Sequence, residues 1–132
     1  MKKESIPFTR SVGFNVAYCT AMALDVSQAR RLIWVSGQLA FDEHERFVGK
    51  GDIGLQTEQC IKNIQSALKK LEASLADVVQ VTVFVKEMSN LKTIHDIRLK
   101  YFQKPYPTST LVEVKGFVHP DALIEINAVA AV

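Results

Sequence analysis

Apolar residues recur at Ile61, Ile64, Leu68, Leu71 and Leu75, which is one face of a helix, with Lys62, Gln65, Lys69 and Glu72 on the other. A few residues later the period falls to two. Val79, Val81, Val83 and Val85 alternate with Gln80, Thr82 and Phe84, a β-branched strand pattern. A helix with one apolar stripe, followed directly by a strand with an apolar face, has to be packed as a helix layer on a sheet layer.

The rest of the chain extends this frame. Phe14 to Leu24 reads as a strand, Asp25 to Gln28 as a turn, and Arg30 to Val35 as a second strand forming a hairpin with the first. Ser36-Gly37-Gln38 ends that hairpin, and Phe41 to Gly49 reads as a charged loop or a short edge hairpin. Asp52 can cap the first helix. Ser89 or Asn90 can cap a second, with Leu91, Ile94, Ile97 and Tyr101 on its buried side. Lys104-Pro105-Tyr106-Pro107 stops it, since proline cannot continue a helix. Ser109 to Val114 and Leu123 to Val129 are the final strands.

The predicted order is β-β-α-β-α-β-β, with further short strands near Ile6 and Phe47. It makes one α/β (α+β) domain over residues 1–132, a two-layer sandwich with two helices on one face of a mixed sheet. The other face has no helix to cover it. It carries enough apolar side chains that a monomer would expose a large patch, so assembly with further copies is expected.

Composition excludes several classes. A net charge of +2, with basic residues scattered and never more than paired, gives no basic stripe with interleaved aromatics, which argues against a nucleic-acid partner. No apolar run approaches the ~20 residues of a membrane span. Met1-Lys2-Lys3-Glu4-Ser5 has no apolar stretch behind it for a signal peptide, and Cys19 and Cys60 fall in packing positions without metal-like spacing. A cytoplasmic protein with reduced thiols, no metal and no cofactor is expected. His44 and His119 read as solvated, and Trp34 as core.

Several stretches resemble the Rid/YjgF family, also called L-PSP. These are Leu32-Ile33-Trp34-Val35-Ser36-Gly37-Gln38, the helix with Gln56 and Thr57 leading to Asn63-Ile64, Val81 to Glu87, Tyr106 to Val114, and Ile124 to Ala130. The resemblance runs in order over roughly residues 14 to 132. It implies the fold of the small trimeric chorismate mutases, a homotrimer, and small-molecule clefts between subunits. For the best-known members it also implies hydrolysis of enamines and imines to ketoacids and ammonia.

The resemblance assigns the family's water-positioning glutamate to Glu125. Strand alternation puts Glu125 and Asn127 on one face and Ile124 and Ile126 on the other; without the resemblance, a solvent-facing edge glutamate is the simpler reading. Where the archetypal deaminases hold the substrate carboxylate with an arginine, Pro107-Thr108-Ser109 offers Ser109, a neutral hydroxyl in place of a bidentate charged fork. That departure counts against 2-imino acids as substrates. Arg98 is the nearest basic residue in sequence. His95 stands where the family often has asparagine and is read as a cleft histidine that binds an anion when protonated.

Tyr18 aligns with a tyrosine that closes the family cleft, although a strand tyrosine packed in the trimer explains it as well. Ser36 lies at a strand end where the family lines its cleft, although a terminating turn would do the same, and Gly37 is read as serving backbone geometry. Glu125 is expected at a subunit interface, sharing a cleft with Ser109 and His95; pairing with Glu125 would raise the pKa of His95. A non-catalytic metabolite-binding trimer and an endoribonuclease are the competing functions.

Overall fold

The computed structural model describes residues 2–132. Six strands and two helices follow in the order β1 (Lys3–Pro7), β2 (Cys19–Leu24), β3 (Leu32–Gln38), α1 (Ile53–Lys70), β4 (Val78–Val85), α2 (Leu91–Tyr101), β5 (Thr108–Glu113) and β6 (Ile124–Ala131). The main sheet has the order β3-β6-β4-β5. Strand β6 runs antiparallel to β3 and β4, and β5 runs parallel to β4. The expected mixed sheet with two helices on one face is therefore present.

The expected hairpin is not. β2 pairs with β1 in a separate two-stranded ribbon, whereas β3 pairs with β6. The intervening segment explains the difference. Asp25 accepts hydrogen bonds from the backbone N–H and hydroxyl of Ser27, closing a single 3-10 turn with extended residues on both sides. This turn carries the chain onward instead of reversing it. The Cys19 N–H then donates to the Pro107 carbonyl at 3.1 Å, which leaves the ribbon beside β5, at the far edge from β3.

Helix α1 begins where Asp52 accepts from the Leu55 N–H at 3.0 Å, and it buries Cys60, Ile61, Ile64 and Leu68 in one stripe. Each such aliphatic contributes about 1.5–3 kcal/mol by burial. The helix ends at Lys70, and Glu72 takes a left-handed φ of 60°. Leu71 is thus an exposed cap residue, and Leu75 reaches the core from a separate 3-10 turn. Lys69 and Lys70 complement the helix C-terminal dipole.

Opposite the stripe lie Ile33, Val35, Val81, Val83, Val85, Ile124 and Ile126, all buried in the same cluster. A register shift between Val78 and Gln80 puts Val78, not Val79, in the core. Among the described residues no helix covers the other face of the sheet, and Trp34 on it is 69% exposed. The expectation that Trp34 is core fails because it pairs with Val129, on the face turned away from the helices.

Helix α2 is rotated from its expected setting. It fully buries Ile94, His95 and Arg98, while Leu91, Ile97 and Tyr101 are only half-buried. Asn90 precedes the helix but makes no side-chain cap hydrogen bond. His119 is packed, not solvated: its ring stacks on Phe47 at 4.1 Å and meets Phe41 edge-on, and its Nδ1 accepts from the Asp121 N–H. His44 is exposed, as expected.

Candidate functional site

From Ile124 to Ala130, β6 carries its residues in alternation. Ile124, Ile126, Ala128 and Ala130 are buried, while Glu125, Asn127 and Val129 are half-buried on the helix-free face. Glu125 pairs with Phe84 of β4, and its side chain reaches toward β3. There the register breaks between Val35 and Gln38, so Ser36 and Gly37 bulge out of the ladder. Ser36 is exposed, and its carbonyl accepts from the Gln38 amide at 3.0 Å. The Glu125 carboxylate lies over Gly37, where a β-carbon would fall 2.5 Å from Oε2. Gly37 has no left-handed φ to satisfy, so its role is room for this carboxylate, not the backbone geometry expected of it.

Two amides, one buried and one half-buried, fix both backbones. Gln56, fully buried on α1, donates to the carbonyls of Gly49 and Asp121 and accepts from the Leu123 N–H, which sets the approach to β6. Asn63 donates to the carbonyls of Leu39 and Phe41, which holds the segment leaving β3. Nearby, burial first and the negative charge of Glu125 second push the Cys60 thiol up to about 12, and burial raises Cys19 as well. Both cysteines are free and buried.

Ser109 follows the opposite parity. It lies in one row with Val81 and Ala128, both buried under the helices. Within one chain, therefore, Ser109 and Glu125 point to opposite faces of the sheet, with β4 between their strands.

The other expected residues gather at the ribbon. A cleft of about 980 Å³ is lined by Phe8, Arg10, Phe14, Tyr18, Leu99 and Tyr106, among others. Tyr18 and Phe14 pack on His95, with ring centroids at 5.5 and 5.6 Å. His95 is 3% exposed, and burial, then the charge of Arg98, lowers its pKa to about 4. It is neutral at physiological pH, the reverse of the rise that pairing with Glu125 would have given.

Arg98 itself is 1% exposed, beside Tyr18, and burial lowers its pKa to about 10. The sequence signal for its burial was its position four residues after Ile94, within the apolar stripe. A charged residue there reads as an interruption, so its inward setting was missed.

The family model described as Endoribonuclease L-PSP matches residues 16–132. The chain belongs to this family, the Rid/YjgF proteins. A RutC family protein of Pyrococcus abyssi is 38% identical over 98 residues, covering 74% of this chain and 76% of that relative. The 3-aminoacrylate deaminase RutC of Acinetobacter baylyi is 35% identical over 106 residues, covering 80% and 83%. A crystal structure of a Rid family protein from Yersinia pestis superimposes with a TM-score of 0.76 over all of both chains at 24% identity, a likeness of fold. Among the described residues, no helix of this Rid protein is long and apolar enough to cross a membrane.

Proposed function

We propose that this protein is a cytoplasmic homotrimer whose intersubunit clefts hydrolyse a small enamine or imine, with Glu125 and water doing the chemistry. The observation that carries the reading is Glu125 itself: a carboxylate on the helix-free face, seated over a glycine and braced through Gln56. That face also carries Trp34, Leu32 and Val112, an apolar surface suited to burial against other copies. The opposite orientations of Ser109 and Glu125 in one chain support a cleft that takes them from different subunits.

The reaction needs only water. An enamine becomes an imine by net transfer of an N–H proton to carbon. Glu125 accepts a proton from water as its oxygen adds to the C=N carbon, giving a carbinolamine. That proton passes to nitrogen to complete the carbinolamine; the hydroxyl proton then follows by way of Glu125, the C–N bond breaks, and neutral ammonia leaves as the carbonyl forms. The name of the Acinetobacter baylyi relative, a 3-aminoacrylate deaminase, fits this class. Ser109 stands where archetypal members carry a carboxylate-binding arginine, so this protein grips its substrate differently.

Ammonia release from a panel of freshly generated enamines and imines tests the reading. Acceleration of one or more by the protein is expected. Saturable binding with no turnover anywhere in the panel would make the cleft a metabolite-binding site instead.

A further inference from the structure

Arg98 is an expensive residue as it stands. Burying an ionised group without a partner carries a large desolvation cost. Neither terminal nitrogen, Nη1 nor Nη2, has a hydrogen-bond partner among the described residues, and His95 Nδ1, one turn back on α2, has none either. Among the described residues, no carboxylate pairs with them. Asp96, the nearest in sequence, is held at 2.7 Å by Lys92 on the exposed side of the helix. All three nitrogens are buried behind the lining of the large cleft, and Tyr18, whose ring packs on His95, is part of that lining.

A guanidinium presents two parallel N–H donors that match the two oxygens of a carboxylate, and a neutral imidazole with hydrogen on Nδ1 can donate a further bond. One negative charge balances the one positive charge. We infer that Arg98 and His95 form an anion site for the carboxylate of a small organic acid that enters past Tyr18. The site supplies from α2 the charged grip that Ser109 cannot supply from β5. It concerns binding alone, so it stands whether or not Glu125 catalyses hydrolysis.

Thermal unfolding of the full chain at constant ionic strength tests this, with propanoate, its neutral isostere propanamide, and inorganic phosphate as probes. Propanoate is expected to raise the Tm saturably, while propanamide does not and phosphate does so less. Arg98→Met should unfold no lower than the parent without propanoate, because an unpaired buried charge is replaced by an apolar side chain of similar length. Its apparent affinity for propanoate should fall at least tenfold. A propanoate effect no larger than that of propanamide, or matched by phosphate, overturns the inference. So does an Arg98→Met protein that unfolds lower and loses its assembly, as it would if a neighbouring subunit's carboxylate paired with Arg98. If that variant does not fold, the parent's response to propanoate against propanamide decides alone.

Discussion

The carboxylate of Glu125 lies against the α-carbon of Gly37, so close that a β-carbon at that position would fall 2.5 Å from Oε2 and 2.7 Å from Cδ. Gly37→Ala therefore has to displace the carboxylate. What it meets is the far end of a flexible side chain, so the fold can absorb the change while the site cannot. Turnover is expected to drop at least tenfold, with the Tm within a few degrees of the parent. Unchanged turnover would show that the carboxylate's position does not matter.

Gln56 makes three hydrogen bonds from a fully buried site, joining Gly49, Asp121 and Leu123. Gln56→Leu keeps the volume and leaves those backbone groups unpaired. Each orphaned buried group costs about 1–3 kcal/mol, so a loss of at least that size is expected from urea unfolding. A loss below about 0.5 kcal/mol, the scale of an ordinary surface substitution, would mean the amide is not a brace.

His95 gives the pH dependence. Its folded-state pKa is lowered from 6.5 to about 4, so the unfolded chain takes up this proton first. The contribution of neutral His95 is complete above about pH 6.5 and is lost as pH falls toward 4. The carboxyls of Asp25 and Asp42 are held below their ordinary 3.8 by hydrogen bonds, chiefly from Ser27 and Arg46, so their losses come at lower pH. Urea midpoints measured between pH 7 and 4.5 should fall with acid, and His95→Asn should flatten that fall. An equal slope in both proteins would contradict the buried neutral imidazole.

Trp34, as the chain's single tryptophan, reports on the helix-free face. Trp34→Arg puts a charge on a surface that the trimer would bury, and sedimentation should show it shifted toward monomer at concentrations where the parent is assembled. A parent that sediments as a monomer would remove the trimer altogether.

The two-layer frame was legible because it rests on periodicity: the stripe through Ile61, Ile64 and Leu68, and the alternation through Val81, Val83 and Val85, each admit one placement. Glu125 could be put on its face for the same reason. Pairing was not legible, since nothing local tells β2 that its partner is β1, and a turn at Asp25 to Gln28 reads alike whether it reverses the chain or passes it on. Trp34 was misplaced by its size, when strand parity with Ile33 and Val35 had already turned it outward. Arg98 was hidden by its charge, because burial of an unpaired guanidinium follows from the rotation of α2 about Ile94, which the surrounding elements set.

The most direct measurement is the rate of ammonia release from the best enamine or imine substrate, comparing the parent with Glu125→Gln, which keeps the shape over Gly37 and removes the base. General-base assistance contributes typically 10²–10⁴-fold. A fall of at least about a hundredfold in kcat, with the assembly intact by sedimentation, is the predicted result. Glu125→Gln turning over at the parental rate would contradict the account.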